Sequence, residues 1–395
     1  MSKCPSLPDV SELPLQPELP DPLQMLDGSR ISTREDWFAR RQPELLRLFE
    51  HYMYGYAPAP PPLEFRVERA PVTALQGKAT LKLVTIELIE PEGVPPLELL
   101  LVLPSPARAP VPVFVGINFA GNHTLLADPA VPEARCHQLE AHARAARGAA
   151  AGAWSVEQII AHGYGFASFH TCDIKPDRAR PGEGIQRYFS TPAQPDPFDW
   201  AALRVWAWAA SRVVDYLVTD ADVDARRIAL VGHSRLGKAA LVAGAFDPRI
   251  ALTIALQSGC AGAAPSRSSV GESVRQITRG FPYWFNAEFE KFAAEPARLP
   301  FDQHCLAALV APRPLLLANA VQDTWANPVG QFEVLRAAEP VYRLLGNGGL
   351  ESERMPGVGE LSSGPLGYFL RAGTHSMTAE DWSAFLRFAD RHFRP

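Results

Sequence analysis

The sequence predicts an α/β fold in which a mainly parallel β-sheet is covered by helices on both faces. Nearly wholly apolar runs such as 112–119 have the pattern of strands buried on both sides. They alternate with segments such as 199–219, whose apolar residues recur every three or four positions, as in a helix. The strands at 80–89 and 97–103 are too close in sequence for a helical crossover. Antiparallel pairing is therefore predicted at the N-terminal edge of the sheet.

The first 32 residues are predicted to form an extended, proline-rich arm, followed by one domain over residues 33–395. Proline makes up 38 of the 395 residues, about twice its usual share, and residues 1–62 hold 11 of them. Helix starts are indicated at Thr33, where Asp36 adds an acidic first turn, and near Pro43.

Later segments continue the alternation of strands and helices. Surface insertions are predicted near 120–160 and 265–300, the first ending in a helix at 155–163. Further strands are predicted at 163–170, 228–232, 250–257 and 313–319, and further helices at 235–246 and 379–393.

Composition excludes several classes of function. The net charge of −5 leaves no basic surplus for a nucleic acid partner. No apolar run is long enough for a membrane span, and the N-terminal segment lacks the features of a signal peptide. The five cysteines are widely spaced without a CxxC pair, so we expect mostly free, buried thiols and no zinc site.

The segment from Arg227 to Leu241 carries the clearest chemical motif. An apolar strand ends in Gly232-His-Ser234, and an alanine-rich helix begins at once. Strand, sharp turn and helix are typical of the nucleophile elbow of α/β-hydrolases, which exposes a serine above the sheet. The second glycine comes one residue later than usual, at Gly237, and an ordinary strand-to-helix turn is the alternative.

Two cations follow Ser234 at the predicted helix N-terminus, where backbone N–H groups favour negative charge. The Arg235 N–H and guanidinium are candidates for stabilising an oxyanion. Lys238 lies one turn further along the same face as Ser234. The alternative is that both are solvated helix charges.

In α/β-hydrolases the catalytic acid and then the histidine base follow the serine along the chain. His375 lies in a loop before the last helix and is the predicted base, whereas His392 is predicted to be a surface residue of that helix. Asp323 follows an apolar strand closely and is the predicted acid. A structural cap at Asp323 and an ordinary loop histidine at 375 are the alternatives.

With these positions the chain resembles the glucuronoyl esterases, carbohydrate esterase family 15, and especially their bacterial branch. The resemblance runs from about residue 35 to the end. It is carried by GHSRLGKAAL (232–241), FVGINFAGNHT (114–124), WAWAASRVVDYL (206–217), SGCAGAAPSR (258–267), FPYWFN (281–286), LPFDQH (299–304), LVAPRPLLL (309–317), DTWANP (323–328) and GTHS (373–376).

The resemblance implies cleavage of esters between 4-O-methyl-glucuronate on glucuronoxylan and lignin alcohols, without a metal or cofactor. It implies that Ser234 is the nucleophile, His375 the base and Arg235 the oxyanion-stabilising arginine. It also implies that Lys238, Glu272 and Trp325 contact the uronate sugar. Taken alone, Glu272 is more typical of a surface carboxylate.

Two positions depart from the family pattern. Many members have a catalytic glutamate where this chain has Gln257, so the acid is predicted to be Asp323 instead. Fungal members have a disulfide-bonded cysteine where this chain has His233. Bacterial relatives share this departure, and the absence of that disulfide fits the expectation of free thiols.

Rival functions are a sugar deacetylase or other carboxylester hydrolase, a carbohydrate-binding protein with a decayed site, and a serine peptidase of the same fold. We expect a glucuronate ester or glucuronoxylan as substrate, no nucleic acid or membrane partner, and a monomer. Localisation stays open: no signal peptide is recognised, whereas the resemblance implies a secreted or periplasmic protein if one was removed.

Overall fold

The computed structural model describes residues 7–68, 72–107, 109–137, 145–180, 182–189 and 196–393. Within these ranges, eleven strands form one sheet. The strands are Leu63–Val67 (β1), Val72–Ala74 (β2), Ala79–Leu88 (β3), Leu97–Pro104 (β4), Val111–Asn118 (β5), Gly165–His170 (β6), Val223–His233 (β7), Leu252–Leu256 (β8), Leu315–Ala320 (β9), Leu361–Ser362 (β10) and Leu366–Arg371 (β11).

The order across the sheet is β1-β3-β4-β6-β5-β7-β8-β9-β11-β10, with β2 paired to β3. The pairs from β6 through β5, β7, β8 and β9 to β11 are parallel, and the pairs at the two edges are antiparallel. The prediction of a mainly parallel sheet with an antiparallel N-terminal edge is confirmed.

Helices cover the sheet and bury a separate apolar cluster on each face. Apolar side chains of α6 and α7 lie in one cluster, and those of α12 lie in the other. No helix in the described part is both long and apolar enough to span a bilayer. The helices are Arg34–Asp36 (α1), Gln42–Phe49 (α2), Ala151–Trp154 (α3), Val156–Ala161 (α4), Gln186–Phe189 (α5), Ala202–Leu217 (α6), Arg235–Phe246 (α7), Val274–Gly280 (α8), Ala287–Glu290 (α9), Gln303–Val310 (α10), Pro328–Leu344 (α11) and Ala379–Phe393 (α12).

The N-terminal segment lies against the body of the protein. Leu13, Leu23 and Ile31 are buried. Arg298 Nη1 donates to the carbonyl of Leu13 at 2.7 Å, and Arg267 Nε donates to the carbonyl of Gln16 at 2.9 Å. The division into an arm of residues 1–32 and a domain of residues 33–395 stays a prediction.

The expectation of free thiols is wrong for two of the five cysteines. Cys136 and Cys172 form a disulfide with Cα atoms 5.7 Å apart. Their pairing depends on a tertiary contact between the segment after β5 and the end of β6. No local sequence pattern predicts that contact. Cys260 and Cys305 are free and buried, as expected, and Cys4 lies outside the described residues.

The register of the parallel strands brings their carboxyl ends together. His233 of β7 pairs with Leu256 of β8, Leu256 pairs with Ala318 of β9, and Ala320 pairs with Arg371 of β11. In open α/β sheets this edge is where ligands bind. The loops that leave these four strands therefore meet over one region of the protein.

Candidate active site

Ser234 sits on a strained turn between β7 and α7. Its backbone angles are φ 58° and ψ −125°, in a region that residues with a Cβ rarely adopt. The turn is tight because Gly232 lies against the first turn of the helix: a Cβ at Gly232 would come 2.0 Å from the carbonyl oxygen of Leu236. This is the strand, turn and helix of a nucleophile elbow.

His375 and Asp323 reach the same cavity as Ser234. His375 follows β11 and Asp323 follows β9, and Nδ1 of His375 donates to Oδ2 of Asp323 at 2.6 Å. The Asp323 side chain is only 5% exposed, whereas that of His375 is 44% exposed. The cavity has a volume of about 320 Å³ and is also lined by Arg235, Lys238, Gln257, Ser258, Gly259, Glu272, Phe281, Trp284, Trp325 and Ala326.

The loop that carries His375 is held by a buried arginine. Arg371 Nη2 donates to the carbonyl of Ser376 at 2.6 Å and to that of Thr374 at 3.3 Å. Its Nε donates to the carboxylate of Asp381, on the last helix, at 2.8 Å. The guanidinium thus fixes the backbone on both sides of His375.

Gln257 supports this loop from the neighbouring strand end. Its Oε1 accepts from the backbone N–H of Ser376 and from Nε2 of His233, both at 2.9 Å. Burial, and then the nearby His375 imidazole, lower the pKa of His233 to about 4, so this ring is neutral at ordinary pH. The rings of His233 and His375 lie 4.7 Å apart between centroids. A neutral amide and a neutral imidazole therefore lie beside the exposed histidine.

Arg235 lies in a cage of aromatic rings beside the cavity. Its guanidinium carbon lies 5.1 Å from the ring centroid of Phe119, 5.4 Å from that of Phe281 and 5.1 Å from that of Trp284. Arg235 Nη1 donates to the buried carboxylate of Asp177. The side chain is therefore anchored, and is not the solvated helix charge of the alternative interpretation.

Lys238, Glu272 and Trp325 also line the cavity, and Lys238 and Trp325 both act on the Glu272 carboxylate. Lys238 is buried, which lowers its pKa, and its Nζ donates to the carbonyls of Ser258 and Cys260, each at 2.5 Å. Burial raises the pKa of Glu272, while Lys238 and a hydrogen bond from Trp325 act in the opposite direction. Trp325 is 54% exposed and forms the rim.

All the site residues suggested by the sequence thus line one cavity, and several of their partners were missed. Asp177 lies between the strand predicted at 163–170 and the helical pattern of 199–219, in a segment to which the sequence assigned no role. Arg371 ends a strand that the sequence analysis did not predict. Trp284 belongs to the segment FPYWFN, which shares in the family resemblance but has no predicted role.

A second cavity, of about 380 Å³, lies between the antiparallel edge and the end of β6. Glu98, His170 and Asp173 are among its lining residues. Burial, and then the charge of Glu98, raise the pKa of Asp173 to about 7. This group is therefore protonated in the folded protein over a pH range in which the unfolded chain has lost the proton.

We expect Asp173→Asn to stabilise the protein more at pH 8 than at pH 4. Between the unfolded pKa of 3.8 and the folded value of about 7, the folded state keeps a proton that the unfolded state releases, so the free energy of unfolding falls as pH rises. The variant removes this loss, at most about 4 kcal/mol. Calorimetric Tm values at both pH values measure it. Asp222→Asn, at an exposed carboxylate, is the control. An equal gain in Tm at the two pH values would contradict the expectation.

The strand order, the elbow at Ser234 and the converging strand ends place the protein in the class of α/β-hydrolases.

Comparisons with known proteins narrow this class. A family model described as "Glucuronyl esterase, fungi" matches residues 150–346. The carbohydrate esterase MZ0003, from an unknown prokaryotic organism, is 41% identical over 391 residues, which cover 95% of this chain and 89% of that protein. The structure of a glucuronoyl esterase from Solibacter usitatus is 40% identical, with a TM-score of 0.90 over 97% of this chain and 100% of that one. A 4-O-methyl-glucuronoyl methylesterase from Wolfiporia cocos is 29% identical over 83% of this chain and 72% of that protein.

The chain belongs to carbohydrate esterase family 15, the family of the glucuronoyl esterases.

Proposed function

We propose that this protein hydrolyses esters of glucuronate or 4-O-methyl-glucuronate, the class of bond that joins glucuronoxylan to lignin alcohols. One observation supports this above the others. The cavity that Ser234, His375 and Asp323 line is also lined by Lys238, Glu272 and Trp325, and this combination of side chains suits a sugar with vicinal hydroxyls.

In the proposed reaction, Asp323 accepts the Nδ1 hydrogen of His375, which leaves Nε2 to take the proton of Ser234. The serine Oγ attacks the C6 carbonyl of the uronate, and the charge that develops on the carbonyl oxygen is stabilised by the N–H and guanidinium of Arg235. The alcohol leaves with the proton from His375. Water then hydrolyses the acyl-enzyme with the same base.

The sugar is proposed to lie with its hydroxyls toward Lys238 and Glu272 and one ring face toward Trp325. Two N–H groups of Lys238 are used by backbone carbonyls, so the third can donate to a hydroxyl. Glu272 accepts, and the partly exposed indole offers apolar area for a pyranose. Because described residues of a single chain line this cavity, we also propose that the protein acts as a monomer.

The decisive experiment compares rates on methyl, benzyl and bulky aryl-alkyl glucuronate esters with rates on acetyl esters, including acetylated xylan. We expect kcat/KM for the glucuronate esters to exceed that for acetyl esters by at least about 100-fold. The acyl group of a glucuronate ester carries hydroxyls that the site can hydrogen-bond, whereas an acetyl group carries none. Equal or higher rates on acetyl esters would instead favour a deacetylase.

Labelling by a serine-directed phosphonate separates an enzyme from a carbohydrate-binding protein with a decayed site. Stoichiometric labelling at Ser234 is expected, because phosphonates react with a serine that an adjacent base activates. Carbohydrate binding without any labelling would contradict the proposed chemistry.

A further inference from the structure

The Asp177 carboxylate is buried beside the cavity and receives hydrogen bonds from three side chains. Its side chain is 1% exposed. Oδ2 accepts from Arg235 Nη1, while Oδ1 accepts from the hydroxyl of Tyr283 at 2.9 Å and from Nε1 of Trp284 at 2.6 Å. Arg235 belongs to α7, and Tyr283 and Trp284 belong to the turn after α8, so Asp177 joins two parts of the chain that are distant in sequence.

The aromatic partners make this anchor rigid. Trp284 stacks on Phe281 with ring centroids 3.9 Å apart and an interplanar angle of 6°, and both rings also flank the Arg235 guanidinium. A guanidinium is planar, with five N–H donors in fixed directions. When one of its amino groups is bound to Asp177 and its faces lie against rings, the directions of its other donors are fixed as well.

A competing carboxylate makes such an anchor necessary. Glu272 lines the same cavity, and the charge of Arg235 acts on its pKa. Without a fixed partner of its own, the arginine would be free to pair with that carboxylate instead. Donors stabilise an oxyanion best when they are already in place before the charge develops.

We propose that Asp177 is a positioning residue, which holds the Arg235 guanidinium in place for the oxyanion that forms at Ser234. This inference rests on the proposed function, because it assigns Asp177 a part in the same acyl transfer. Asp177 does not line the cavity itself and acts through Arg235.

Asp177→Asn removes this anchor with little change in volume. Three donors point at the carboxylate, and an amide has only one oxygen to accept them. If that oxygen stays with Trp284 and Tyr283, the amide NH₂ faces Arg235 donor to donor. The guanidinium is then released while the fold keeps most of its contacts.

A double-mutant cycle between Asp177 and Arg235 tests the proposal. With benzyl glucuronate, Asp177→Asn is expected to lower kcat by about 10- to 100-fold and to change KM by less than about threefold, whereas Arg235→Ala lowers kcat by about 100-fold or more. In the double variant, kcat should equal that of Arg235→Ala within about twofold, because a residue that acts through the arginine has no effect without it. Asp222→Asn, at an exposed carboxylate that pairs with Lys82, is the matched control.

Losses that multiply in the double variant, or an unchanged kcat in Asp177→Asn, would overturn the proposal. If Asp177→Asn does not fold, Tyr283→Phe gives the same test with the charge of Asp177 retained. We expect Tyr283→Phe to lower kcat severalfold when Arg235 is present and to have no effect on kcat when it is combined with Arg235→Ala. The same cycle run on the rate of phosphonate inactivation does not depend on the substrate. A wild-type protein that reacts with the phosphonate but leaves glucuronate esters intact would contradict the substrate assignment alone.

Discussion

Replacement of Ser234 by alanine is expected to lower kcat on benzyl glucuronate by about a million-fold, as for the loss of other serine nucleophiles. The acyl-enzyme requires the serine oxygen, and none of the side chains named around the cavity holds an equivalent nucleophile at the elbow. The free energy of unfolding should not fall, since the strained backbone of the turn accommodates either side chain. Initial rates and thermal unfolding of the same preparations measure both effects.

Ser352→Ala, in an exposed loop outside the cavity, is the control for this substitution. Near wild-type activity in Ser234→Ala would contradict the proposed mechanism. Binding of glucuronate by Ser234→Ala is expected to persist, because Lys238, Glu272 and Trp325 are unchanged.

Asp323→Asn is expected to lower kcat by about 10⁴-fold, while Gln257→Ala lowers it by less than about tenfold. The asparagine amide can present an N–H to Nδ1 of His375, which favours the wrong tautomer and removes the charge that stabilises the imidazolium. Gln257 contacts the backbone of Ser376 and the ring of His233, and not the His375 ring nitrogens, so its loss loosens the loop only. Steady-state kinetics of the two variants on one ester measure the difference.

The opposite order of effects would overturn the assignment of Asp323 as the acid. Gln257→Glu offers a further comparison at the same place: added carboxylate charge there should not restore activity to Asp323→Asn while His375 remains held by the Arg371 loop contacts. Substantial restoration would show that a carboxylate at 257 can reach the imidazole.

Much of the fold could be predicted because buried parallel strands and amphipathic helices have strong periodic patterns. The helices at 235–246 and 379–393 match α7 and α12 at both ends. The strands from β3 to β9 lie within two residues of their predicted bounds, except that β7 begins five residues earlier than predicted. Helices α10 and α11 and strand β11 were missed. Helix α10 is buried at every position and so has no alternation of apolar and polar faces, and α11 contains an internal proline, Pro340.

The polar residues that line the site were predicted from the sequence, whereas the residues that hold them in place were not. Ser234, Asp323 and His375 follow strands, and chain order suffices to pair them. Asp177 and Arg371 act through contacts across the tertiary structure, with Arg235 and with the Ser376 backbone, and no spacing in the sequence relates them. The disulfide between Cys136 and Cys172 was missed for the same reason.

The adjacency of β8 and β9 divides the support of the histidine between two strand ends. Gln257, after β8, accepts from the backbone N–H of Ser376, whereas Asp323, after β9, accepts from the ring of His375 itself. The position of the loop and the orientation of the imidazole therefore depend on different residues. A substitution at one strand end can alter one of these two properties and leave the other unchanged.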